Sequence, residues 1–141
     1  MHRVYTIRSE LISTLASSQR LEDLRSLFHA RTSEYPHYSL EVEGGGIDTF
    51  GDLFQALEPH EAFALIPAAV ELAIEQTHPE LFETTLYILS GLARASNTTE
   101  VPGKLSRSWE KLAEREDQLL TGRNRILSQL LDWYHVPRPQ R

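Results

Sequence analysis

Cysteine is absent from the 141 residues. Its absence excludes disulfide frameworks, cysteine-ligated zinc, iron–sulfur clusters and thiol catalysis, and it fits a reducing compartment. Long apolar runs are missing too. The longest, Ala62 to Val70, spans nine residues and contains Pro67, whereas a membrane-crossing helix needs about 20. Near the start, Arg8 and Glu10 interrupt the apolar stretch that a secretion signal would need. The expectation is a cytoplasmic chain that neither crosses nor coats a membrane. Positive charge is scarce in the middle: between Glu41 and Glu100 Arg94 is the only Lys or Arg, against eleven carboxylates, Asp48, Asp52, Glu71, Glu75, Glu80 and Glu83 among them. Such a block repels phosphate backbones and steers cationic partners inward, so nucleic acid is not an expected ligand.

What is present is helical spacing. At this length one domain, residues 1–141, is the default. Apolar residues recur at three and four nearly throughout, and strand-like alternation is confined to Tyr38, Leu40 and Val42. The reading is an all-α fold of about six helices. Val4, Ile7, Leu11 and Leu15 suit a first helix; Leu21, Leu24, Leu27 and Phe28 suit a second, after a polar break or kink at Ser17 to Gln19. A long loop of about 33–48 follows, with Pro36 and the run Gly44 to Gly46; loops of this kind are the mobile part of a domain. Thr49 and Asp52 open a short helix reaching Leu57.

Glu58-Pro59 and His78-Pro79 each place proline at a first helical position, where no amide hydrogen bond is lost. The connection between the two helices is very short, which makes them an antiparallel hairpin. Pro67 predicts a kink between Phe63 and Pro67. On the second helix Phe82, Leu86, Leu89 and Ala93 form the buried stripe, leaving Glu83, Tyr87, Ser90 and Arg94 opposite, toward solvent or a partner. The Pro-started pair hints at hairpins stacked as in a short solenoid. Beyond the polar loop Asn97 to Gly103, one helix carries Leu105 to Leu119 with Gly122 as its cap, and a last helix carries Ile126 to Tyr134 before a frayed tail of about 137–141.

No motif for chemistry stands out. The six histidines are scattered without HExxH or another zinc spacing, and Gly44 to Gly46 lacks the following lysine of a phosphate loop. Glu71 and Glu75 share a face, but acid/base work needs unequal environments, and both read as solvated. No metal, cofactor or catalytic residue is expected. Tyr87 is the candidate anchor for a protein partner, because aromatics with a polar tip dominate many interfaces; the competing reading has it cover the core's edge. Trp109 and Trp133 read as core.

The segment Leu92-Ala93-Arg94-Ala95-Ser96-Asn97-Thr98-Thr99-Glu100-Val101-Pro102-Gly103-Lys104-Leu105, preceded by Gln76-Thr77-His78-Pro79-Glu80-Leu81-Phe82-Glu83, resembles small helical immunity proteins of bacterial polymorphic toxin and contact-dependent growth inhibition systems. The likeness spans roughly residues 58–112. It implies an intracellular, non-catalytic protein that neutralises a cognate toxin domain by tight binding. Joined to the charge distribution, it makes Asp48, Asp52, Glu71, Glu75, Glu80, Glu83, Tyr87, Asn97, Thr98, Thr99 and Glu100 the candidate partner-binding set, facing a basic toxin cleft. The alternative is an acidic helical adaptor in an endogenous complex. Within the set, Thr98, Thr99 and Glu100 also have a plain reading as residues that cap helices and fix a turn.

Overall fold

The computed structural model describes residues 3–33, 49–120 and 126–137. Among these the chain forms eight helices and no strand: α1 (Arg3–Ser18), α2 (Leu21–Ser33), α3 (Thr49–Ala56), α4 (Pro59–Glu75), α5 (Pro79–Ala95), α6 (Gly103–Ser106), α7 (Trp109–Leu119) and α8 (Ile126–Trp133). The all-α class is as the spacing predicts. Asp48, the glycine run, the alternation at Tyr38 to Val42 and the cap at Gly122 lie outside the described residues.

The helix count exceeds the expected six partly because the segment from Leu105 to Leu119 divides. At Ser108 the backbone leaves the helix with φ −114° and ψ 1°, and its hydroxyl donates to the Lys104 carbonyl at 2.8 Å. A serine that satisfies a nearby carbonyl offers the backbone an alternative to the regular ladder. The break between α1 and α2 is likewise a full stop, with Gln19 in the left-handed region at φ 51°. Pro67 does not end α4, which runs through it from Pro59 to Glu75.

Both proline-started helices are capped by side chains that the sequence places just before or just after the proline. The Glu58 amide donates to Glu61 Oε1 at 2.8 Å, and the Glu80 amide donates to His78 Nδ1 at 3.2 Å. Each bond serves an amide that has no partner within its own helix. The α4–α5 hairpin these starts define is the base of the fold. Against α4 pack α2, α6 and α7; against α5 pack α3 and α8, with α7 also touching it, while α1 joins α2 and α3. Two layers result, α1–α3–α5–α8 and α2–α4–α6–α7.

Between them Leu65, Ile66 and Ala69 of α4 meet Phe82, Leu86 and Leu89 of α5, all fully buried. Apolar burial of this kind contributes about 1.5–3 kcal/mol per large side chain. The core continues through Leu105 and Leu112 to Leu127, Leu130 and Leu131. Trp109 and Tyr134 close its far end, ring centroids 6.1 Å apart and planes tilted by 56°. The Tyr134 hydroxyl is buried there without a hydrogen-bond partner, and burial pushes its phenol up to about 12 from 10.0.

Candidate protein-binding surface

The outer face of α5 presents what the core does not take. At about 100° per residue Glu80, Glu83, Tyr87, Gly91 and Arg94 fall in one stripe. Tyr87 is 63 % exposed, the one exposed large hydrophobic side chain among the described residues. Ser90, expected on this side, is buried at its edge, because α3 lies across it. That approach depends on Gly91. A Cβ there would stand 2.0 Å from Phe54 Cε2, so the α3 ring rests directly on bare α5 backbone. Phe50 and Phe54, one turn apart on α3, are both half-buried.

The contact leaves a groove of about 600 Å³ between α3, α5 and α8, with walls formed by Phe54, Tyr87, Gly91, Arg94, Ile126 and Gln129. A second depression of about 350 Å³ shares Phe54 and Tyr87 with the first and runs toward Arg31 and Glu83. Asp52 is half-buried on α3, in the first turn, where a carboxylate complements the positive helix end.

Glu71 and Glu75 stand elsewhere. They occupy the outer strip of α4, in the other layer, and each meets a cation from a distant segment. Arg25 of α2 forks onto Glu75, its Nε donating to Oε1 at 3.1 Å and its second nitrogen bonding Oε2. That hydrogen bond and the accompanying charge push the guanidinium's pKa further up. Lys104 of α6 pairs with Glu71. Two carboxylates that read as a solvated strip therefore bridge α4 to α2 and α6, and they do not join the α5 stripe.

The loop after α5 is held by structure of its own. Asn97 takes the left-handed conformation that ends the helix, φ 55°, a position that suits glycine and asparagine. The Glu100 amide donates to Thr98 Oγ1 at 3.1 Å, closing a tight turn. The Thr98 carbonyl accepts from Trp133 Nε1 at 3.1 Å, which fastens the loop to α8. Thr99 and Glu100 are exposed. With His60 and Phe63, Thr98 and Glu100 border a shallow depression of about 290 Å³. The candidate set among the described residues is thus split among α3, the α4 strip, the α5 stripe and this loop.

Sequence reasoning overlooked Glu116. It is only 3 % exposed, and its Oε2 accepts from the Leu127 amide at 3.3 Å, in the first turn of α8. The signal was present, since Trp109, Leu112, Ala113 and Glu116 follow helical spacing and put the carboxylate on the apolar stripe. Its work is to bind a helix start, not a ligand. Among the described residues no three His, Asp or Glu side chains gather as a metal-binding group, and no helix is long and apolar enough to cross a membrane. Comparison with protein-family models, curated proteins and solved structures finds no match to the chain.

Proposed function

We propose that the chain is a toxin-neutralising protein of the immunity type, acting inside the cell as a non-catalytic helical module that occludes a cognate toxin domain. The contact surface in this reading is the outer face of α5, where Glu80 meets basic groups of the toxin and Tyr87 packs as the anchor. The carrying observation is Tyr87 itself, an aromatic ring left 63 % exposed beside a groove while every other large apolar side chain among the described residues is at least partly covered. Aromatic anchors with polar tips are typical of residues that dominate protein interfaces. The likeness of the segments around it to immunity proteins supplies the class of partner. Helical hairpins that touch in chain order, α2 to α4 and α5 to α7, fit a short stacked arrangement.

Co-expression with toxin domains encoded by neighbouring genes tests the reading, with growth rescue and co-purification as readouts. The wild-type chain should restore growth. Tyr87→Ala should weaken the complex by about tenfold or more, the loss usual for an anchor residue. Glu80→Lys should slow association most at low salt. Rescue by no neighbouring pair, or a complex indifferent to both substitutions, overturns it. Stable capture of the chain in an endogenous assembly, with no toxin neutralised, establishes instead the helical adaptor.

A further inference from the structure

The groove carries the opposite charge to the chain that forms it. In a protein of net charge −6, Arg94 is the only charged side chain among the described residues that line the 600 Å³ groove, the others being apolar, amide or hydroxyl groups. It is also the one Lys or Arg between Glu41 and Glu100. Among the described residues no hydrogen bond or ion pair engages its side chain. Positions three and four residues away hold Ser90, Gly91, Asn97 and Thr98, so the helix provides no carboxylate neighbour of the kind that pairs along one face. Arg25 and Lys104, by contrast, each meet a glutamate of α4. A cation in the last turn suits the negative end of α5, but that accounts for the charge and not for the guanidinium standing in a groove. An unpaired guanidinium offers five donors in a fork that matches a carboxylate.

The extent of the surface points to a chain rather than a compact molecule. A second depression adjoins the groove, with Phe54 and Tyr87 common to both linings. From Glu83 to Arg94 the helix rises about 16 Å, the length of about five extended residues. The Gln55 and Gln129 amides on its walls can serve main-chain groups of such a segment.

We propose that the groove and the depression adjoining it receive an extended segment of the protein partner, in which a carboxylate side chain meets Arg94 and a bulky apolar side chain lies against Phe54 and Tyr87. This rests on the reading of the α5 face as the partner-binding surface, and it adds a requirement that acidity of the chain does not suggest: a partner that is basic overall presents an acidic, apolar hook here. Within the groove a carboxylate monoanion matches the one arginine among the described lining residues.

Titration of the isotope-labelled full chain with doubly capped pentapeptides tests the proposal without any toxin. One peptide carries phenylalanine and glutamate separated by one residue; in two others glutamine or lysine replaces the glutamate. The glutamate peptide should bind at least fivefold more tightly than the glutamine peptide, with amide shifts centred on Gly91 and Arg94, and Arg94→Gln should erase that preference. Equal affinities, preference for lysine, no binding, or shifts centred elsewhere would overturn it. The wild-type chain carried through both the peptide titration and the growth-rescue experiment separates the two claims. Peptide selectivity without toxin neutralisation removes the functional reading and leaves the groove's specificity standing; neutralisation without selectivity does the reverse.

Discussion

The outer strips of α4 and α5 look alike in the sequence and differ in the fold. Each is the polar edge of an otherwise buried helix, and each carries two glutamates toward the exterior. On α4 the pair Glu71 and Glu75 is answered by Lys104 and Arg25, so its charge is spent on joining α2 and α6 to the hairpin. On α5 the stripe holds an exposed Tyr87, a Gly91 overlain by Phe54 and an Arg94 with no carboxylate in helical reach. Availability to a partner is decided less by a residue's own polarity than by what distant segments bring beside it. Local charge density is a poor guide to a binding face for that reason.

The comparison can be broken at its base. Phe82, fully buried in the α4–α5 hairpin, supports both strips, and Phe82→Ala should cost about 3–5 kcal/mol. Urea unfolding should show one transition moved to lower denaturant. Survival of the α4 strip after loss of the α5 stripe would show instead that the layers fold separately.

Gly91→Ala strikes one strip only. Alanine gains about 1 kcal/mol in helix propensity, but its Cβ would lie 2.0 Å from Phe54, and displacing the ring costs about 1–3 kcal/mol. The net loss should reach about 2 kcal/mol at most. Contacts between Phe54 and α5 should vanish from the nuclear Overhauser spectrum while those of Arg25 with Glu75 persist.

A third variant sharpens the comparison from beneath α5, where Tyr134 follows the end of α8. Removing its unpartnered hydroxyl with Tyr134→Phe should stabilise the fold by about 1 kcal/mol. Burial raises this phenol from 10.0 to about 12, so its contribution is fully present below pH 10. It is lost as pH climbs through about 12, because the unfolded phenol ionises first. Thermal melts of wild type and variant should therefore diverge further in that window than below it.

The smallest effects distinguish the strips directly. Glu75→Gln should lower the melting temperature only slightly, and less at high salt, since the pair with Arg25 is partly exposed and screened by solvent. Tyr87→Ser should leave stability within about 0.5 kcal/mol while weakening partner binding. A large stability loss from Tyr87→Ser would make the ring a part of the core's edge after all.

Much of the fold was legible because it is written locally. The helix starts at Pro59 and Pro79, the buried stripe through Phe82, Leu86 and Leu89, and the outward position of Tyr87 all follow from spacing within one turn or two. The groove was not legible, since its floor joins Phe54 to Gly91 and nothing within either helix announces the meeting. The same holds for Arg25 with Glu75, fifty residues apart, and for Thr98 with Trp133. The division of α6 from α7 turns on one serine hydroxyl, a competition between side chain and ladder that periodicity does not record.

The clasp between the Trp133 indole and the Thr98 carbonyl gives the molecule an optical handle. Trp109 sits in the interior and Trp133 at the rim, and these are the chain's two tryptophans. With Trp109 replaced by phenylalanine, emission from the remaining indole would report on the loop alone. Docking at the rim could then be followed in real time, without a label.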